Sequence, residues 1–385
     1  MYVILAEKRF FDKLLFPTTA TKITVQLVMR KKERNLLMTT PFYNPHLSYE
    51  DNYTNGPFGA FTESPQERME TTNPLIFLNL PIKFPFGIPA GPLLNANYIK
   101  SALNFGFDLV TYKTVRTRAQ KSQPLPNVLA VHPQSNQLKT NDIVLADNKY
   151  DQPLSITNSF GVPSFDPDVW QPDLAEAVQA ANKGQAVIGS FQGTSNNEML
   201  IEKDYAIAAK LVAETNAPIL EANLSCPNEG KNKLLCFDID KVEKIAQAIK
   251  NSVPDRPLLL KLAFFSQDDE LIDLIKRLNG VVDGYTAINT ISARPVDHTG
   301  APALDQNRPT SGVCGDSIRW AGLDMVQRLS SIRSEHGLNF VIVGVGGVSS
   351  IEHFNEYQKV GADAVLSATG AMWNPNLAFD LKRSV

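Results

Sequence analysis

The sequence predicts an α/β chain built around one (β/α)8 TIM barrel, and three observations lead there. From about residue 80 onward, short apolar or β-branched runs alternate eight times with stretches of helical period. Residues able to do chemistry fall at or just past the C-terminal ends of those runs; a closed barrel gathers such ends at one mouth, whereas an open sheet strings them along a ridge. The longest connections follow strands rather than helices, as rim or lid insertions over that mouth would. A doubly wound open sheet is the rival architecture, and convergence of the strand ends favours the barrel. Residues 1–72 therefore read as an N-terminal extension and residues 73–385 as the barrel domain.

In chain order, the first strand is expected at Phe86–Ala90, followed by a helix near Ala96–Phe105. Asp108–Lys113 is the second strand; the long connection Thr114–Trp170 and a helix over Asp173–Asn182 come after it. Ala186–Gln192 pairs with the helical stretch Asn197–Glu214, and Ile219–Asn223 with Asp240–Asn251 beyond the insertion Ser225–Phe237. Leu258–Leu262 precedes a helix over Asp268–Leu278. Gly284–Asn289 precedes the connection Ile291–Ser317 and a helix over Ile318–Ser334. Phe340–Gly344 with Ser350–Val360, then Ala364–Ala368 with a short helix near Asn376–Lys382, complete the alternation. The runs are short and nearly continuous in apolar character, as parallel strands covered on both faces require, and right-handed crossovers would close them.

Composition limits what such a barrel can do. At 385 residues and 43% hydrophobic content the chain can bury a large core, and a net charge of −3 gives no reason to expect a nucleic acid partner. Cys226, Cys236 and Cys314 lack metal-ligand spacing and are too few for a disulfide framework, so no metal is expected and a cytoplasmic, reducing setting fits. No apolar run approaches the roughly 18 residues that span a bilayer, and no signal-peptide core stands at the N-terminus. Residues 1–38 nevertheless carry net +5, from Lys8, Arg9, Lys13, Lys22, Arg30, Lys31, Lys32 and Arg34 against Glu7, Asp12 and Glu33. With Phe10, Phe11, Leu14, Leu15 and Phe16 beside the lysines, that segment reads as a basic amphipathic anchor or as a loosely docked extension, and a start at Met29 or Met38 would remove much of it. The extension reading is preferred, so no membrane contact is expected. Thr39 to about Thr72 reads as loop.

Two segments carry the chemistry. Glu221-Ala222-Asn223-Leu224-Ser225-Cys226-Pro227-Asn228 sets one thiol between two amide side chains directly after a buried strand, the makeup of a proton-abstracting base among groups that grip a polar, planar ligand. Gly344-Val345-Gly346-Gly347-Val348-Ser349-Ser350 runs from the seventh strand into a helix N-terminus, where unpaired N–H groups suit a phosphate. Ser367-Ala368-Thr369-Gly370 after the eighth strand would complete a barrel phosphate site. Lys113 and Lys261 end apolar strands, where a lysine is rarely buried without a partner. Cys236 and Cys314 read as small buried hydrophobes. His132, His298 and His336 show no partner pattern and read as surface residues.

In order and spacing, these motifs resemble the dihydroorotate dehydrogenase family over about Asn79 to Lys382. The residues that carry the resemblance are Pro89-Ala90-Gly91, Tyr112-Lys113-Thr114, Thr157-Asn158-Ser159-Phe160-Gly161-Val162-Pro163, the Asn-Leu-Ser-Cys-Pro-Asn segment, Lys261-Leu262, Ala287-Ile288-Asn289-Thr290, Ser311-Gly312-Val313-Cys314-Gly315 and Val343-Gly344-Val345-Gly346-Gly347. The resemblance implies an FMN-dependent enzyme oxidising dihydroorotate to orotate in pyrimidine biosynthesis. It makes Cys226 the base at C5 while hydride leaves C6 for flavin N5, and Lys261 the cation beside the flavin N1/O2 edge. Lys113, Asn158, Phe160, Gly161, Val162, Asn223, Asn228, Asn289 and Thr290 would hold the substrate. Ala90, Gly91, Lys113, Thr114, Asn158, Asn223, Lys261, Gly315, Gly346, Gly347, Ala368 and Thr369 would hold the cofactor.

A cysteine base is similar to the soluble class of the family, which implies fumarate or another soluble acceptor and a homodimer. NAD through a partner subunit, and quinone, stay open. Ile318-Arg319-Trp320 stands where many members have lysine then proline, and the Pro89-Ala90-Gly91 turn lacks the serine common in the soluble class. Oxidation of another dihydropyrimidine, or flavin and pyrimidine binding without catalysis, are the alternative functions.

Overall fold

The protein, in a computed structural model that describes residues 40–65, 74–194, 199–225 and 234–384, begins its barrel with a plug. The antiparallel hairpin β1 (Leu75–Phe77) and β2 (Leu80–Ile82) sets Phe77 and Ile82 against Leu109, Ile188, Ile219, Leu259 and Leu366. Those are residues of the barrel strands that form a core cluster apart from the main one, so the plug covers one end of the barrel and leaves the C-terminal mouth for function.

Fifteen strands form among the described residues. β3 (Phe86–Ile88), β4 (Leu109–Val115), β8 (Ala186–Phe191), β9 (Ile219–Asn223), β10 (Leu258–Leu262), β11 (Gly284–Ala287), β14 (Val341–Val345) and β15 (Ala364–Leu366) are the eight expected barrel strands. Neighbours pair in parallel, and Val365 opposite Phe86 closes the ring, which excludes the open sheet. Their side chains are buried almost without interruption, as the apolar runs required. The interior turns polar toward the mouth: on β9 the inward sequence is Ile219, Glu221, Asn223, and Glu221 accepts a 2.8 Å hydrogen bond from Thr286.

Helices α1 (Tyr49–Asn55), α2 (Ala96–Asn104), α3 (Pro167–Gln179), α4 (Ile201–Glu214), α5 (Ile239–Ser252), α6 (Asp268–Arg277), α7 (Arg319–Glu335), α8 (Ile351–Lys359), α9 (Thr369–Trp373) and α10 (Leu377–Arg383) follow in order. In α5 the buried set Val242, Ile245, Ala246 and Ile249 is one helical stripe laid on the barrel, and Asp238 caps its first turn. Helix α3 starts six residues before the expected Asp173, because Pro167 fits the first helical position, where no N–H is needed. No described helix is long and apolar enough to cross a membrane.

Two regions read as loop are ordered structure. The connections after β4 and β11 supply β5 (Val128–His132), β6 (Ile143–Asp147), β7 (Ser155–Asn158), β12 (Ile291–Val296) and β13 (Ser311–Gly315), which close into a second, five-stranded sheet. Residues 40–65, within the stretch expected to be loop, include α1 and a 3-10 turn at Gly59–Thr62. Phe42, Tyr43, Tyr49 and Phe61 join the main core, and Ser101, Asn95 and Tyr98 of the α2 region bond to the backbone of Phe61, Tyr53 and Asn52. The remaining part of the predicted extension lies outside the described residues, as do Met29 and Met38.

Candidate active site

At the C-terminal mouth, the barrel and the second sheet line one shared cleft. Its lining brings together Ala90, Gly91, Lys113, Thr114, Asn158, Phe160, Val162, Asn223, Lys261, Asn289, Thr290, Gly315, Gly346, Gly347, Ala368 and Thr369. Gly161 is not part of this lining. It adopts φ +75° between two lining residues and sits against Gln123, so its role is to turn the backbone of the Asn158–Pro163 loop. Cys226 and Asn228 lie outside the described residues.

Lys113 and Lys261 are the two buried cations of the cleft, at 7% and 5% exposure, so neither is a surface lysine. Lys261 is the fourth residue of β10 and faces inward, with Nζ 3.4 Å from the Ala90 carbonyl on the neighbouring turn. Lys113 lies in β4, where its backbone N–H donates to Leu93. Burying an ammonium costs several kcal/mol unless anionic or dipolar groups compensate, so two of them in one cleft give it a cationic lining.

Amides link the strand ends beneath them. Asn223 donates to Gln192 at 2.9 Å, and Asn289 donates to Asn223 at 3.3 Å and to Ser225 at 3.1 Å. The Ser225 hydroxyl in turn donates a hydrogen bond to the Lys261 carbonyl at 2.9 Å, so β8, β9, β10 and the end of β11 share one network. Gln192 is a member of this network that the motifs did not assign to the site. Thr290, fixed through its N–H to Asn289, keeps a buried hydroxyl with no partner among the described residues. A buried hydroxyl left unpaired costs about 1–3 kcal/mol, and a ligand atom would remove that cost.

The cap sheet contributes Asn158 from the end of β7 and Cys314 from β13. Cys314 was expected to be an inert core residue; instead it is half-buried and lines the cleft, its sulfur 3.4 Å from the Thr369 hydroxyl and 3.6 Å from the Asn158 amide. Burial pushes its thiol pKa up, only partly countered by those hydrogen bonds and by the charge of Lys261, so it stays a protonated thiol. His132, expected to lack a partner, pairs with Asp147 at 2.9 Å on the cap surface.

The glycine turns meet the same cleft. Gly347 has φ +66°, and a Cβ there would lie 2.7 Å from the Arg319 Cβ and 2.9 Å from the Gly315 carbonyl. Only glycine lets β13, the start of α7 and the β14 turn approach so closely. At Gly91, by contrast, a Cβ would meet nothing within 4 Å, so open space lies over the Ala90–Gly91 turn for a flat ligand. A phosphate-accepting glycine cradle, an uncovered turn and two buried cations fit a phosphorylated flavin. The helix start after β13 differs from the family pattern, and it is Ile318 rather than Trp320 that reaches the cleft; Trp320 instead packs edge-on to Phe264. Val128, Ile156, Met372 and Tyr43 also line it and were not anticipated, because each reads as core and stands in no quoted motif.

Comparison with known proteins agrees with this geometry. A family profile described as dihydroorotate dehydrogenase matches residues 75–383. A Dictyostelium discoideum dihydroorotate dehydrogenase is 34% identical over 88% of this chain and 95% of its own length. A Pediococcus pentosaceus relative, named for dihydroorotate dehydrogenase A (fumarate), is 30% identical over 51% of this chain and 60% of its own. Other relatives bear quinone or NAD(+) in their names. In fold, a solved Eimeria tenella DHODH structure superposes with a TM-score of 0.67 at 17% identity, covering 92% of this chain and 89% of that one. The profile match and the Dictyostelium relative show that the chain belongs to the dihydroorotate dehydrogenase family of flavin enzymes.

Proposed function

We propose that the cleft binds FMN beside dihydroorotate and that Cys226 removes the substrate's C5 proton as orotate forms. The meeting of Lys113, Lys261 and the Asn223–Asn289 network with the glycine turns in one cleft carries this reading. FMN, when bound, supplies the two-electron acceptor for the hydride. Gly315, Gly346, Gly347, Ala368 and Thr369 would hold its phosphate end, and Ala90, Gly91 and Thr114 its ring. Lys261 places a fixed cation in a dry site where negative charge develops, which is worth far more there than in water. Lys113 neutralises the substrate carboxylate. Asn158, Asn223, Asn289 and Thr290 match alternating N–H and C=O groups, with Phe160 and Val162 excluding water and Asn228 completing the set.

Cys226 follows Ser225, whose hydroxyl is held by Lys261 and Asn289, so the base stands next in sequence to the anchored network. We infer fumarate or another small soluble acceptor from that cysteine, with support from the name of the Pediococcus relative. NAD through a partner subunit and quinone are the alternatives, since relatives bear those names. We also infer a homodimer, which sedimentation would read, and residues 73–385 as the catalytic domain after an extension over 1–72.

The test is anaerobic stopped-flow reduction of the yellow holoenzyme by dihydroorotate. Rapid bleaching that is largely lost in Cys226→Ser is expected, while a flavin that stays oxidised in the wild type would sink the assignment. Reoxidation by fumarate, NAD(+) or a soluble quinone then sorts the acceptors.

A further inference from the structure

Tyr43 belongs to none of the barrel motifs, yet it lines the cleft. It lies in the segment before the barrel, and its neighbours fix it on both sides. Phe42 donates its N–H to the Met372 carbonyl at 3.1 Å, and Asn44 donates to the side chain of Asn52 at 2.8 Å. Asn52, fully buried, returns hydrogen bonds to the carbonyls of Asn44, Leu47 and Ser48, so the turn carrying Tyr43 is stapled to α1. The Tyr43 ring meets Phe160 edge-on with centroids 5.7 Å apart, and 2% of the residue is exposed.

Within this rigid setting the Tyr43 hydroxyl has no hydrogen-bond partner among the described residues. A phenol usually finds a partner when buried, and leaving it unpaired is costly. Nothing in the packing demands the oxygen: a phenylalanine would fill the same ring contacts. Tyr43 and Thr290, each with a buried hydroxyl that has no partner among the described residues, line the same cleft.

We propose that Tyr43 is a ligand-binding residue of the cleft, its hydroxyl donating a hydrogen bond to a carbonyl or carboxylate oxygen of the bound molecule. This rests on the reading of the cleft as the flavin and dihydroorotate site. Burial, with the neighbouring Tyr98, Tyr49 and Glu50, pushes the phenol pKa far above its ordinary value, so the group donates and does not ionise. Flavin, substrate and a dicarboxylate acceptor all offer such an oxygen. The segment before the barrel thus forms part of the recognition surface.

Tyr43→Phe tests this, because it keeps the ring and removes the oxygen. We expect the ligand-free variant to melt no lower than wild type, since no hydrogen bond among the described residues is lost, and about a tenfold loss of affinity in one of three arms, the size set by one unpaired acceptor in a dry site. The arms are FMN release followed by flavin fluorescence, orotate binding followed by the flavin spectrum, and KM for fumarate. A loss confined to the first identifies the flavin as partner, to the second the substrate, and to the third the acceptor. Equal values in wild type and variant in all three overturn the proposal. A wild type that is not reduced by dihydroorotate overturns the activity reading instead, and the flavin arm then still judges Tyr43.

Discussion

The barrel and the cap sheet share one cleft but are made in opposite ways. Apart from the closing pair of β15 with β3, each barrel strand pairs with the strand one βα unit away, so the register is built from successive repeats, as in Leu258–Leu262 beside Ile219–Asn223. The cap joins chain segments about 150 residues apart: Asn158 pairs with Gly312, and Ile143 with Arg294 in parallel. Barrel strands are buried on both faces, whereas β6 alternates exposed and buried residues. The difference divides labour: the barrel provides the cations and the amide network, and the cap closes over them with Asn158, Phe160 and Cys314.

If that division holds, barrel changes should stop chemistry and cap changes should loosen binding. Cys226→Ala should lower the rate of flavin reduction by about 10^2–10^4-fold, the usual worth of a positioned base. In the wild type that rate should climb with pH, since only the thiolate accepts the proton, and a flat profile would assign the base elsewhere. Lys261→Met should cost about 10^2–10^3-fold in the same measurement, as loss of one fixed electrostatic partner does. Similar reduction rates in Lys261→Met and wild type would break the comparison at its centre.

The barrel also holds its own closing latch. Lys382 of α10 meets Asp108, at the start of β4, at 2.7 Å, with both side chains almost fully buried. Lys382→Met strands that carboxylate and should cost about 3–5 kcal/mol by denaturant unfolding; adding Asp108→Asn should recover much of the loss. A single variant as stable as wild type would show the pair to be dispensable.

Asn158→Ala, on the cap, should weaken orotate binding about tenfold while a saturating substrate still reduces the flavin at a comparable rate. The smallest effect is expected on the outer face of β6. Ile143 is 59% exposed, so Ile143→Lys should shift stability by no more than about 0.5 kcal/mol in thermal melts.

How much of this was legible follows from the same contrast. The eight barrel strands stand where the apolar runs put them, and helix boundaries fall within a few residues, except that Pro167 starts α3 early. Lys113, Lys261, Asn223 and Asn289 were legible because a charged or amide side chain at the end of an apolar strand has no structural reason to be there. Tyr43, Val128 and Met372 were not, since an apolar wall residue looks like core until the chain is folded. Cys314 was misjudged on that ground.

The sequence alone therefore determined the barrel and the polar residues at its mouth, because local period and strand-end residue types are written in neighbouring positions. Tertiary structure decided the cap sheet, the docking of residues 40–65 and the orphaned hydroxyl of Tyr43. Each depends on contacts between distant segments, whose register is set by the packing of faces that no local pattern records.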